Sequence, residues 1–596
     1  MIPPPAALWV IIPIYSNGIY WEIKQSNFSL TGIILVQTSR LRSPWAWVAL
    51  LPVLLFVLMS ACEPDQPEQT TEEPNQDLEF EPGTEEDREA LFDYLVEKTM
   101  ERDAFASLTE HPVHREHPMG IDVREEMQKY RDDLIEADNA KDMWLVLNKL
   151  SNARKDRHLS LGTVDNGLEI PDELQDNGIA PIRFMVDYED LDNRFFFISD
   201  MTESIDEHTG NDANPSHGDK LVSVNGMSGE EYIEAIRPYW RYSSENRLWM
   251  RVSEIIGHKR SHVPHSVFYR NELELVMERH DGSQYEMTLP YLDSDDIVWQ
   301  HYEDLDHIDW NRYFTRDYPG FTRDPVMDEF ETLNLFVSET DKPVVLLQWY
   351  GFRGDLPDAM DRLVEYADEQ NLLDHDVIVD ATRGRGGSNG AYALARLQPE
   401  KFRTTKHNLM ISDLSEQWVR DWLERWEEDP PEHSRGQSLV YLKEWMQTDA
   451  MKAIENDSYY TNDVPFKGVQ PHWGDATIFP AEKHFTGDMV VWLSPRGGSH
   501  LDQFAAQVKD NDLAHIMGMS TGSFSNSWSS TETLRFPTND KPIIEYEWSM
   551  GHSIRPNGEI LQYNTPDPHE YIPQTRDNIF EYYELLTDRS LEYLGR

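Results

Sequence analysis

The sequence predicts an α/β core in its C-terminal part, preceded by a helical N-terminal region and a β-rich middle. Three observations carry that prediction. From Pro343 onward, apolar runs of strand length alternate with segments of helical period, the pattern of βαβ units. Two of those runs lead straight into glycine turns: Asp376-Val-Ile-Val-Asp380-Ala-Thr-Arg383-Gly384-Arg385-Gly386-Gly387-Ser388 and Val490-Val-Trp-Leu-Ser494-Pro-Arg-Gly-Gly-Ser499-His500-Leu-Asp502. Between Gly167 and Leu292 the chain has the turn signals and alternation of a β-rich segment.

The elements follow in order. Arg40 and Arg42 precede an apolar run from Trp45 to Met59 that ends in Ser60-Ala61-Cys62. A basic start, an apolar stretch and small residues are the parts of a secretory signal, so residues 1–61 are expected to be a signal peptide. Residues 1–39 are long for such a signal and carry Glu22, which fits a mis-called start codon. Met59-Ser-Ala-Cys62 is similar to a bacterial lipobox, which implies a lipidated Cys62 as the mature N-terminus. The other reading is an uncleaved membrane anchor, although the run falls short of the ~20 residues a span needs. By analogy with lipoprotein sorting, Glu63 after the cysteine favours the outer membrane, facing the periplasm.

Residues 62–85, rich in Glu, Gln, Pro and Thr, are expected to be a disordered tether. Residues 86–165 are expected to form a helical domain, with Met143, Val146, Leu147 and Leu150 on one face. In the β-rich 166–292 region, Gly218-Asp-Lys-Leu-Val-Ser-Val-Asn225-Gly226 alternates into an Asn-Gly turn, a hairpin signal. The run also resembles one found in PDZ domains, which implies a peptide-binding module; an ordinary hairpin of the catalytic fold remains open beside it. Residues 293–342 form an acidic, aromatic connection. Residues 343–596 form the core, with strands at Val344–Trp349 and Val377–Val379, helices at Asp358–Gln370 and from Gly390 to Leu397, and a Trp-rich helical insertion at 415–456.

Composition bounds the function. A chain of 596 residues with 39% hydrophobic and 11% aromatic residues can build sizeable cores. Its net charge of −55 argues against nucleic acid as a partner, since phosphate binding needs a basic surface. That charge has two readings, a solvated surface or a preference for a cationic substrate. With Cys62 alone, no intrachain disulfide can form. His111, His114 and His117 lie in a Pro-containing loop without a recognisable fourth ligand, so no metal or other cofactor is expected.

Ser499 sits where a strand turns into a helix whose Leu501, Phe504, Ala505 and Val508 share one face. Such a turn holds the hydroxyl toward a substrate, and a neighbouring glycine turn supplies amide donors for an oxyanion. The candidate donors are the amides of Gly386, Gly387 and His500. This is the layout of acyl transfer. The two segments resemble the serine peptidase family that contains the C-terminal-processing (tail-specific) proteases, tricorn and the chlamydial protease-like activity factor. Asp380, Arg383-Gly384, Arg385 in place of Asn, and Gly386-Gly387 match its glycine motif. Ser499-His-Leu-Asp502 is close to its Ser-x-x-Glu, with Asp502 in place of Glu, and His515-Ile-Met-Gly518-Met-Ser-Thr521 matches its strand and Gly-x-x-Thr.

The resemblance implies a ClpP/crotonase-like core and a nucleophile at Ser499. The processing branch takes its base from a lysine after the nucleophile helix. Gly518–Trp528 has none, and Phe524 falls near its place. The tricorn and chlamydial branches use a histidine in Asp-x-His, matched by Asp156-Arg157-His158. Their C-terminal glutamate, which orients that histidine, aligns with Gln562 in Gly558-Glu559-Ile-Leu-Gln562-Tyr-Asn564, with Glu559 the alternative. Arg383 is expected to brace its turn. The expected function is that of a lipid-anchored serine-type endopeptidase of the cell envelope acting on peptides or proteins through Ser499 and His158. The alternative is a non-catalytic relative that binds peptides or proteins in the same cleft.

Overall fold

The structure, a computed structural model, describes residues 80–596 apart from 210–212, 294–297, 301–317, 340–341, 353, 432, 435–436, 467–475 and 527. The expected signal peptide, the lipidated Cys62 and nearly all of the tether lie outside the described residues.

The chain opens with α1 (Glu85–Arg102), whose N-cap Thr84 and third residue Asp87 form a capping box. Further on, α2 (Ala140–Asn152) buries Met143, Val146, Leu147 and Leu150, the residues its period places on one face. The middle region is an antiparallel sheet of β1 (Ile182–Asp187), β2 (Phe195–Met201) and β3 (Lys220–Val224), then α3 (Gly229–Ile236), α4 (Glu245–Ser253), β4 (Glu272–Glu278) and β5 (Gln284–Pro290). The strands lie in the order β1-β2-β3-β4-β5. The Asn-Gly signal is a tight hairpin: Val224 pairs with Met227 across Asn225 (φ 51°) and Gly226 (φ 88°), both left-handed as a type I′ turn demands.

The core sheet takes β6 (Phe321–Asp324), β7 (Leu333–Ser338) and β8 (Val345–Trp349), followed by α5 (Leu356–Glu369), β9 (Val377–Asp380) and α6 (Gly390–Leu397). The Trp-rich insertion contains α7 (Asp413–Glu428) and α8 (Leu439–Trp445). Then come β10 (Met489–Leu493), α9 (His500–Asp510), β11 (His515–Gly518), the antiparallel pair β12 (Ser529–Arg535) and β13 (Pro542–Ser549), β14 (Glu570–Tyr571) and α10 (Tyr582–Tyr593). Seven strands lie in the order β14-β11-β10-β9-β8-β7-β6, parallel from β14 to β8 and antiparallel beyond.

Both faces of this sheet are covered, which is why its central strands are apolar throughout. Val345, Leu347, Val377, Val379, Val491 and Leu493 pack under α5, α6 and α9. Their neighbours Leu346, Ile378, Val490 and Trp492 face the other way, against Tyr582 and Leu586 of α10. Because β9 and β10 are adjacent and parallel, with Asp380 opposite Trp492, the two glycine turns leave the same edge of the sheet side by side. Sites on open α/β sheets form at that edge.

A third core joins the two ends of the chain. Leu91, Phe92 and Leu95 of α1 and Val146, Leu147 and Leu150 of α2 pack with Leu534 of β12 and Ile544, Tyr546 and Trp548 of β13. Among the described residues, no helix is long and apolar enough to cross a membrane.

Candidate active site

The serine half of the site is built by over-determination. Ser499 is the N-cap of α9 and holds φ 61° and ψ −119°, a conformation a non-glycine residue adopts at a cost of roughly 1–3 kcal/mol. Asp502, fully buried one turn into α9, keeps it there. Its carboxylate accepts the amides of Ser499 (2.8 Å), Ser523 (3.2 Å) and Phe524 (2.9 Å). Burial pushes the Asp502 carboxyl up to about 7, while contacts from Thr521 and those amides oppose the rise. The Ser499 amide also reaches the Phe524 carbonyl at 3.1 Å, so it points away from any oxyanion.

The oxyanion candidates gather beside the serine. A Cβ on Gly386 would stand 2.8 Å from Ser499 Oγ and 3.8 Å from the His500 amide nitrogen, so glycine alone lets this turn approach the nucleophile. Gly387 has φ 150°. Among the described residues, no backbone hydrogen bond takes the amide of Gly386 or Gly387. The His500 ring braces the arrangement: its Nε2 accepts the Gly390 amide at 2.8 Å, which assigns a neutral ring protonated on Nδ1 and ties the nucleophile helix to the start of α6. Asp380 anchors the same turn, accepting from the Thr382 amide (3.0 Å) and hydroxyl (2.7 Å). Arg383 is buried behind it.

The histidine half comes from the loop after α2. His158 Nε2 lies 3.1 Å from Ser499 Oγ, across 341 residues of sequence. Arg154, with its guanidinium over the Tyr546 and Trp548 rings, donates to the Glu547 carbonyl at 2.7 Å and pairs with buried Asp103 at 3.4 Å. Ser160 gives its amide and hydroxyl to the Glu547 carboxylate. The loop is thus moored to β13 on both sides of His158. Burial, with Arg157 adding repulsion, depresses His158 to about 4.

The far side of that imidazole is less complete than the resemblance implies. His158 Nδ1 is buried without a hydrogen-bond partner among the described residues. Asp156 Oδ1 stands 3.8 Å away and instead accepts the His158 amide at 2.9 Å. Burial pushes Asp156 above the usual carboxylate range. Gln562 is fully buried beside Asp156 and favours its ionised form, but through an approach outside ordinary hydrogen-bond geometry; neither of its amide atoms makes such a bond. Glu559, the alternative orienting group, has an exposed carboxylate that pairs with Arg555 at 3.6 Å and accepts from Asn557 and Asn564.

Ser499 and His158 open into a cleft of about 410 Å³. Six arginines line it and, among the described residues, Glu254 is the one carboxylate. This lining contrasts in sign with the net charge of −55. Two of those arginines, Arg247 and Arg251, escape the sequence motifs, although their spacing of four places both on one face of α4. Phe524, which the motifs leave without a role, acquires one. Its ring packs against Gly498, where a Cβ would come within 2.1 Å of it, and meets the His158 ring edge-on at 5.3 Å. Among the described residues, no cluster is arranged to hold a metal.

No protein-family model and no curated protein matches the chain. Solved structures do. Mature CPAF superposes with a TM-score of 0.59 at 15% identity, over 85% of this chain and 96% of that one. Mature CPAF complexed with lactacystin gives 0.58 at 15% identity, over 85% and 98%. A CPAF mutant gives 0.61 at 14% identity, over 86% and 98%. A photosystem II D1 C-terminal processing protease and a tricorn protease also match, at 0.36 and 0.31, while the CPAF structures bear on the fold. The CPAF structures fit the family whose motifs the sequence resembles.

Proposed function

We propose that this protein is a serine-type endopeptidase that forms an acyl-enzyme on Ser499 with His158 as base. One observation carries the reading: a serine on a strained turn and a histidine from a distant loop meet at 3.1 Å in an open cleft. The neutral His158 takes the hydroxyl proton as Ser499 Oγ attacks the peptide carbonyl. The oxyanion that forms faces the amides of Gly386, Gly387 and His500. Collapse expels the amine, which receives the proton from His158, and water then releases the acid by the reverse sequence.

The resemblance and the shared fold support a ClpP/crotonase-like reading of the core and a PDZ-like, peptide-capturing role for residues 166–292. The lipobox-like Met59-Ser-Ala-Cys62 supports a lipid anchor at Cys62 in a bacterial envelope, with the protein on the outer membrane facing the periplasm. Mass spectrometry of the mature protein tests it: an N-terminal lipidated Cys62 is expected, and a dominant unmodified peptide spanning residues 55–70 refutes it.

The unbonded Nδ1 of His158 favours a second reading, a non-catalytic binder of peptides. Fluorophosphonate labelling separates the two. Labelling of the wild type that disappears in Ser499→Ala supports the peptidase; equal labelling of both, or of neither, sinks it.

A further inference from the structure

The cleft around Ser499 is a cationic pocket on a strongly acidic protein. Arg157 and His158 come from one loop, Arg247 and Arg251 from α4, Arg383 and Arg385 from the first glycine turn, and Arg496 from the second. Among the described residues, the carboxylates against them are Glu254, engaged with Arg251, and Glu547 behind His158, engaged with Ser160, while Arg383, Arg385 and Arg496 make contacts of their own. Arg247 gives Nη1 to the carbonyls of Pro495 and Arg496, which spends donors but cancels no charge. Arg157 and Arg247 both flank the Phe524 ring, their guanidinium carbons 6.0 and 5.1 Å from its centroid. Burial, and then repulsion from neighbouring arginines, depress both side chains, Arg157 to about 9. Like charges held together at such a cost mark a place built for an opposite charge.

We propose that this cleft takes acidic peptides, seating Asp or Glu side chains next to the scissile bond among Arg157, Arg247, Arg251, Arg383, Arg385 and Arg496. The proposal rests on the peptidase reading of the same site for the placement of the scissile bond. Guanidinium forks suit carboxylates, and low-dielectric walls focus their field into the cleft. The net charge of −55 repels an acidic chain elsewhere, so binding is confined to the place where the bond is cut. Seating a carboxylate beside Arg157 also offsets the repulsion that weakens His158 as a base, so an acidic substrate strengthens its own catalyst.

The experiment uses the full chain with Ser499→Ala and two fluorescein-labelled decapeptide pools. They are identical except that every Asp and Glu of one is Asn or Gln in the other. Fluorescence anisotropy at about 150 mM salt is expected to show the acidic pool binding at least tenfold more tightly. The margin should narrow as salt rises. Arg157→Gln and Arg385→Gln should each reduce it, with folding checked by an unchanged melting temperature. Equal binding of the two pools, or tighter binding of the amidated pool, overturns the proposal. A sulfated oligosaccharide that binds while neither peptide pool does overturns it as well, assigning the arginines to a glycan. Fluorophosphonate labelling of the wild type reads the peptidase assignment separately, so either can fail without the other.

Discussion

The two halves of the site are held by different means. Around Ser499, the polar groups beside the nucleophile are tied into the fold. Asp502 takes three amides, His500 caps a neighbouring helix, and Gly386 leaves room for nothing larger. Around His158, the loop backbone is moored to β13, yet the ring's far nitrogen has no partner among the described residues and Asp156 stands at 3.8 Å. Ser499 is fixed as a rigid part of the sheet edge. His158 is delivered by a well-anchored loop but oriented mainly by its bond to Ser499 and by the edge of Phe524. Position and orientation are therefore separable here, and the serine half has both while the histidine half has chiefly the first.

Changes to either half measure that asymmetry. His158→Ala should lower the rate of fluorophosphonate acylation by about 10²–10⁴, the scale of positioned proton transfer. A loss below tenfold would remove His158 from the mechanism. Gly386→Ala places a methyl against Ser499 Oγ and should cost about 10²–10³, comparable to losing an oxyanion donor. Its melting temperature should stay within a few degrees of wild type, since the clash is confined to the cleft. Asp502→Asn leaves a carboxamide that cannot accept from all three amides; acylation should fall about tenfold and stability by roughly 1–3 kcal/mol. Urea denaturation and labelling kinetics together check it.

The pH profile gives a smaller and sharper test. His158 is depressed to about 4, so it stays neutral and competent until the pH falls that low, instead of losing activity near 6.5. The acid limb of the acylation rate should lie near pH 4, and Arg157→Gln should move it upward. A wild-type limb at 6.5 would contradict the cause assigned to the shift. The smallest effect is expected from Gln562→Met. Its amide makes no ordinary hydrogen bond, so acylation should change less than about threefold, while stability is unchanged or rises. A hundredfold loss would show that Gln562 reaches His158 in the working state.

What the sequence discloses follows the same division. The sheet edge was legible because its parts are contiguous: apolar strands running into Gly386-Gly387 and into Ser499 leave few other structures. The α2 face and the Asn225-Gly226 hairpin were legible for the same reason, since period and turn chemistry are local. His158 became visible through its Asp-x-His setting. The partner of its ring was not, because a glutamine aligned with a glutamate says nothing about a side chain's reach. The arginine cluster was hidden by arithmetic: a whole-chain charge of −55 averages away six cations that four separate segments bring to one cleft.

The mooring of the His158 loop on β13 has a consequence for the life of the chain. Synthesis runs from the N-terminus, so His158 is made early, but the strand that seats it, Pro542–Ser549, is made nearly four hundred residues later. Until that strand pairs with Leu161 and Gly162 and receives Arg154, the base has no platform from which to meet the serine. The fold thereby couples assembly of the Ser499–His158 pair to the arrival of the last tenth of the polypeptide.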